Sequence, residues 1–268
     1  MKKLIYKLRW FVKNQWGDPL AQRQILAILA KLLGEKPPAP TSNPPPTSTR
    51  TKSSGKVEMY LPICKIIGPK ARTRGNYPKG YPEGAIVHWT GGHWDQSGEA
   101  AMAFQKKSGM CYFYIDQHGT IFQNFPLNRW GYHAGKSKWP GWGSSVSNRA
   151  VGIEVACAGT LNSKNQPSFK RTVPSDQVRV VGNKDNMQAG RYQKYTPEQE
   201  QALTKLILAL KENNPDVFDL NLVLGHDEVS GKRGIGWNRK SDPGGSLSMT
   251  MDEYRAKLNK LYNQPTTT

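Results

Sequence analysis

Between residues 36 and 56 this chain cannot join a folded core. Pro37, Pro38, Pro40, Pro44, Pro45 and Pro46 stand close together, and a Ser/Thr-rich run with scattered basic residues follows. Proline removes the backbone donor that helices and sheets need, and clustered prolines favour extended polyproline geometry. The Ser/Thr part reads as a flexible, solvated linker. Any fold must therefore lie on one side or the other, in residues 1–35 or 57–268. Only the second stretch is long enough for a sizeable core.

The shorter stretch reads as a basic amphipathic helical segment. Leu4, Ile5, Leu8, Phe11 and Val12 fall on one helical stripe, with Lys2, Lys3, Lys7, Arg9 and Lys13 interspersed. Asp18-Pro19 reads as the cap and first position of a second helix carrying Leu20, Ile25, Ile28, Leu29, Leu32 and Leu33. Such a segment can lie on an anionic membrane or envelope surface, or dock on a partner protein. Its lysines and arginines interrupt the apolar run that a signal peptide needs. No stretch approaches the roughly 18 apolar residues of a spanning helix.

The net charge of +18 implies a polyanionic partner. Charge alone does not choose among nucleic acid, anionic lipid and a bacterial envelope. No zinc-finger, RRM or helix-turn-helix signature accompanies it, so specific nucleic-acid recognition is not expected. The three cysteines, Cys64, Cys111 and Cys157, form no CxxC pair and sit among apolar residues. They read as buried thiols rather than a disulfide framework or a zinc knuckle.

Within 57–268, helix and strand signals alternate. Strands are expected at Gly84–Trp89, Ala150–Ala156 and Leu220–Leu224, and a hairpin at Met110–Ile115 and Thr120–Phe125 around Asp116-Gln117-His118-Gly119. Gly98–Lys107 is helix-like. Thr196-Pro197-Glu198-Gln199 is a capping box opening a helix with Ala202, Leu203, Leu206, Ile207 and Leu210 on one face. Thr250-Met251-Asp252-Glu253 opens a last helix. The expected fold is mixed α/β, a central mixed β-sheet flanked by helices.

Three segments end on metal-ligand side chains: Ala85-Ile86-Val87-His88, Leu222-Val223-Leu224-Gly225-His226 and Lys240-Ser241-Asp242. Each histidine follows a short aliphatic run, the pattern of a strand delivering a side chain at its end. Two histidines and a carboxylate on a rigid sheet are the protein half of a catalytic zinc site. Taken singly, each element is also an ordinary strand end or turn.

Their company is more specific. Ile86-Val87-His88-Trp89-Thr90, Tyr114-Ile115-Asp116-Gln117-His118-Gly119-Thr120-Ile121, Tyr132-His133-Ala134-Gly135, Asn148-Arg149-Ala150-Val151-Gly152-Ile153-Glu154, Gly225-His226-Asp227-Glu228 and Arg239-Lys240-Ser241-Asp242-Pro243-Gly244 occur in this order. The region from about 84 to 262 thereby resembles the zinc-dependent N-acetylmuramoyl-L-alanine amidases of the phage-lysozyme and peptidoglycan-recognition-protein type. Residues 1–56 lie outside the resemblance.

The resemblance implies a peptidoglycan hydrolase cutting between N-acetylmuramic acid and the L-alanine of the stem peptide. It implies Zn2+ held by His88, His226 and Asp242, with Glu154 and Lys240 as catalytic residues. Trp89, Thr90, Tyr112, Trp130, His133 and Asn148 are the expected substrate-binding residues. The expected setting is a phage-type endolysin or a virion- or injection-associated lysin. It would be made in the cytoplasm without a signal peptide and act at the cell wall or periplasm. The alternative is a recognition module that binds peptidoglycan without cutting it. Non-catalytic relatives typically lose the third ligand, whereas Asp242 is present.

Tyr112 departs from the pattern, standing where many relatives carry histidine. Two intervals, 162–195 and 228–239, are longer and more basic than in compact relatives. They read either as grips for an anionic wall polymer or as solvated loops.

Overall fold

The computed structural model describes residues 56–67, 73–95, 98–99 and 112–264. The expected helices of 1–35, the linker except Lys56, and most of the expected Gly98–Lys107 helix lie outside these residues.

The short β1 (Lys65–Ile66) and β2 (Gly75–Asn76) precede β3 (Gly84–Trp89). Next come β4 (Phe113–Ile115), β5 (Ile121–Gln123), β6 (Arg129–Trp130) and β7 (Ala150–Val155). A central six-stranded sheet runs β1-β5-β4-β7-β3, with β11 (Val223–Gly225) at the far edge. β3 runs parallel to both β7 and β11, whereas β4 and β5 are antiparallel, so the sheet is mixed. The β4–β5 turn is held by Asp116, whose Oδ1 accepts from the backbone N–H groups of His118 and Thr120. Gly119 takes the positive φ that closes it.

Strand alternation sorts the side chains into two layers. Ala85, Val87, Val151, Ile153 and Val155 enter the main core. Against them pack α1 (Pro197–Asn213) through Leu203, Leu206, Ile207 and Leu210, and a C-terminal helix (Met251–Asn263) through Tyr254 and Leu258. Burying each such aliphatic side chain contributes about 1.5–3 kcal/mol. Both helices open with the expected capping boxes, Thr196 with Gln199 and Thr250 with Glu253. The opposite face carries Ile86, Ala150 and Leu224. His88 and Glu154, paired across β3 and β7, share that face by the same alternation.

The expected strands Thr120–Phe125 and Leu220–Leu224 are both shorter in the structure, at Ile121–Gln123 and Val223–Gly225. Leu220–Leu222 forms a 3-10 turn, and only Val223–Gly225 joins the sheet. Asp219 causes this: its side chain accepts from Asn221 N–H and its carbonyl from Leu222 N–H, closing a turn where an extended start was expected.

The basic interval 162–195 is structured. With residues just before it, it forms a second, three-stranded sheet of β8 (Thr160–Leu161), β9 (Val178–Val181) and β10 (Gly190–Gln193), ordered β8-β10-β9. Most of its cations are engaged within the protein. Arg171 meets Asp95 at 2.7 Å, Lys184 meets Glu253 at 2.6 Å, and Arg191 donates to Asn165 at 2.6 Å. Among the described residues, no helix is long and apolar enough to cross a membrane.

Candidate metal centre

β3 and β11 run parallel as neighbours, with Val87 opposite Gly225. The residue after each pairing is a histidine, so two side chains distant in sequence emerge at one sheet edge. His226 opens the short α2 (His226–Val229), whose start is pinned by Glu228: its Oε2 accepts from Gly225 N–H at 2.8 Å. Glu228 is fully buried and its charge is met by Arg255 and Arg233 at 2.8–2.9 Å. The third segment reaches the same edge because Asp227 N–H donates to the Asp242 carbonyl at 2.7 Å.

The result is a buried triangle. His88 Nδ1 lies 3.0 Å from His226 Nδ1 and 3.0 Å from Asp242 Oδ2, and His226 Nδ1 lies 2.9 Å from Asp242 Oδ2. All three residues are at most 4% exposed.

Their outer contacts decide what these atoms can do. A carbonyl oxygen only accepts, so His226 Nε2, 2.9 Å from Ala134 O, carries a proton, the shorter contact outweighing Arg239 Nη2 at 3.3 Å from the same nitrogen. Arg239 Nη2 donates to the same carbonyl at 3.0 Å. His133 Nε2, 2.9 Å from Ala150 O, likewise carries a proton. Neutral His133 then accepts at Nδ1 from His88 Nε2 at 3.1 Å. Both inward-facing Nδ1 atoms are therefore lone pairs, and the third corner is a carboxylate oxygen. Three acceptors at contact distance with no proton among them call for a cation.

The electrostatics point the same way. Burial, reinforced by the nearby His226, lowers the His88 pKa to about 4. Burial also holds His133 well below the usual histidine range. Two imidazole nitrogens and a carboxylate oxygen are a donor set that suits zinc. A tetrahedral zinc sets its donors roughly 3.3 Å apart, and these stand 2.9–3.0 Å apart.

The family model for N-acetylmuramoyl-L-alanine amidase matches residues 78–245, more than half of the chain and inclusive of all three corners. The chain belongs to this amidase family. Among solved structures, an amidase LysC from Clostridium intestinale is similar at 20% identity, covering 74% of this chain and 99% of its own, with a TM-score of 0.46. The E. coli amidase AmiD, solved with anhydro-N-acetylmuramic acid-L-Ala-D-gamma-Glu-L-Lys, gives 18% identity, coverage of 67% and 58%, and a TM-score of 0.46. An AmpD derivative gives 20%, with 74% and 96% covered and a TM-score of 0.45. Comparison with curated proteins finds no match.

The remaining expected amidase site residues are distributed unevenly. Glu154 is half-buried on the site face, opposite His88 in register. Burial and then the charge of Asp242 push its carboxyl up to about 8, against the opposing influence of Lys240. Lys240 is exposed, two residues before Asp242. Trp130 is half-exposed on β6, edge-on to Tyr132 with ring centroids 5.3 Å apart. Tyr132 is exposed, with Arg74 4.9 Å over its ring. Asn148 ends the turn into β7, and its buried Oδ1 has no partner among the described residues.

Four others do not line an open groove. Tyr112 is 1% exposed; its hydroxyl pairs with the Gly131 backbone and its ring packs edge-on against Phe125 at 4.6 Å. Trp89 lies on Gly91 and Gly159 and packs against the helix-side core, because alternation turns it away from His88. Thr90 Oγ1 is used by the backbone of Cys157, donating to its carbonyl and accepting from its N–H. His133 spends both ring nitrogens on His88 and Ala150.

Several supporting groups had no sequence signal. Tyr195, 4% exposed, donates its hydroxyl to the His88 carbonyl at 3.1 Å. Ser147 Oγ accepts from the N–H groups of His133 and Ala134, fixing the strap that serves both histidines. Arg239 ties that strap to Ser230. These contacts run largely through backbone atoms, which any residue type offers.

Proposed function

We propose that this chain is a zinc-dependent peptidoglycan hydrolase cleaving the amide between N-acetylmuramic acid and the L-alanine of the stem peptide. The observation that carries this reading is the triangle of lone pairs at His88, His226 and Asp242, within a chain of the amidase family. His88 and His226 would hold the metal through Nδ1, and Asp242 through Oδ2. A zinc ion there supplies Lewis acidity and lowers the pKa of a water to about 7.

The protein's own groups supply the rest. Glu154 pairs with His88 in register on the same sheet face, which supports reading it as the group that would take a proton from the attacking water and return it to the leaving amine. Lys240, exposed two residues before Asp242 and near enough for its charge to act on Glu154 and His88, would stabilise a developing tetrahedral oxyanion. Burial of the triangle lowers the local dielectric and strengthens every electrostatic contact inside it.

The decisive experiment is incubation with purified sacculi, with and without a zinc chelator, followed by mass analysis. Release of peptides beginning with L-alanine, stopped by chelation and restored by zinc, supports the proposal. Sugar fragments still carrying their peptides overturn it. Asp242→Ala should lose both zinc and hydrolysis; a variant keeping full activity would refute the site.

The setting belongs to the same proposal. The chain is read as a lysin of phage type, endolysin or virion- or injection-associated, acting at the bacterial wall. Residues 1–35 would tether it to an anionic surface or a protein partner. Deleting them should weaken envelope or partner binding and spare hydrolysis of soluble muropeptide; equal loss of both would sink the tether.

A further inference from the structure

His133 stands half-buried above β7, with both ring nitrogens committed. Its Nε2–H donates to Ala150 O at 2.9 Å, and its Nδ1 accepts from His88 Nε2 at 3.1 Å. Nothing polar on the ring remains for a substrate. The ring stands edge-on to His88, at 86° with centroids 5.4 Å apart, and edge-on to buried Tyr112 at 5.9 Å.

The need for an intermediary follows from the sheet. Within β3 and β7 most backbone carbonyls point along the sheet to their neighbours, whereas Ala150 O, at the start of β7, accepts from side chains, His133 Nε2 and the Tyr77 hydroxyl. The partners of the His88 ring are side-chain atoms, His226 Nδ1, Asp242 Oδ2 and His133 Nδ1. His226 sits where a strand ends, and there Ala134 O reaches its Nε2 directly. His88 has no such carbonyl, and His133 bridges the gap from Nε2 to Ala150 O. Gly152 makes room for it: a Cβ on residue 152 would come within 2.8 Å of the His133 ring. The backbone of residue 133 is itself anchored by Ser147 Oγ.

We propose that His133 is a positioning residue of the metal site, fixing which nitrogen of His88 carries the proton and turning its Nδ1 lone pair toward His226 and Asp242. This rests on the zinc reading above and extends it to a residue outside the ligand set. The Ala150 carbonyl dictates the tautomer of His133, and His133 dictates that of His88. Without that relay His88 is free to protonate Nδ1, which removes a ligand, or to swing. Partners of this kind change metal affinity by about 10–100-fold when removed.

The test uses the full chain and zinc alone. Zinc affinity is measured by competition with a chromophoric chelator for wild type, His133→Phe, His133→Asn and Gly152→Ala. Phenylalanine keeps the ring packing and lacks the acceptor, so affinity should fall by about 10–100-fold. Asparagine places its amide oxygen near the former Nδ1 and should restore most of the loss. Gly152→Ala should weaken zinc by displacing the ring. Long-range proton–nitrogen NMR of wild type should show His88 protonated at Nε2 and metal-bound through Nδ1, a readout that does not depend on any variant folding. Zinc-binding wild type with an unchanged His133→Phe affinity, or with His88 protonated at Nδ1, overturns the positioning role alone. Wild type that takes up no zinc overturns the zinc reading and the relay together.

Discussion

Arg179, in the β8-β10-β9 sheet, offers a sharp test of what that sheet does. Its Nη1 reaches the carbonyls of Gly245, Ser246 and Leu247 at 3.0, 3.3 and 2.6 Å, on the loop that follows Asp242. Tyr192 of β10 lies over Gly244 and Gly245. The sheet thus clamps the segment that carries the third corner of the triangle. In Arg179→Met, Ser246 O keeps a partner, the Tyr195 N–H at 2.9 Å. Gly245 O and Leu247 O lose a charged donor. Hydrogen bonds to a charged group contribute about 1.5–3 kcal/mol each. The guanidinium is half-exposed, so water replaces part of that. A total of about 3 kcal/mol follows, on the low side of two such bonds. For a domain of this size that corresponds to a drop of about 6–12 °C in melting midpoint. Urea unfolding at constant m-value gives the free energy, and chelator competition should show weaker zinc binding. A variant melting within about 1 °C of wild type would refute the clamp.

Other outcomes follow from the same geometry. Arg255→Met leaves fully buried Glu228 with Arg233 as its one remaining guanidinium partner, and should cost about 3 kcal/mol in urea unfolding; a double-mutant cycle with Glu228→Gln showing no coupling would count against it. Asp252 is held down to about 2, chiefly by Arg233 and also by Arg255. Its depressed pKa adds stability that is fully present above the unfolded value of about 3.9 and is lost as pH falls through about 2. Asp252→Asn should flatten stability across that window, by a small amount because half the carboxylate is in solvent. Glu154→Gln should lower turnover by about 10²–10⁴-fold while zinc stays bound; unchanged turnover would exclude it as the proton carrier.

Much of the architecture was legible because it rests on local chemistry. The capping boxes at Thr196 and Thr250, the apolar stripe of α1, the turn at Asp116 and the runs ending at His88 and His226 each carry their signal within a few residues. The Leu220–Leu224 strand was overdrawn because Asp219 competes locally for the backbone donors. Tyr112, Trp89, Thr90 and His133 were expected at the substrate, since aromatic and polar residues beside ligand motifs serve either use. Their pairing with Gly131, Gly159, Cys157 and His88 involves partners that sequence spacing does not reveal.

By itself the sequence determined one mixed α/β domain of an amidase pattern, with two histidines and an aspartate as its candidate ligands. Hydrophobic periodicity, caps and ordered motifs are short-range, so they survive in one dimension. Only the tertiary structure decided which nitrogens of those histidines face one another, that His133 stands behind His88, and that the basic 162–195 interval braces the Asp242 loop. Each of these depends on a hydrogen bond between residues far apart in the chain, often to a backbone carbonyl that no residue type announces.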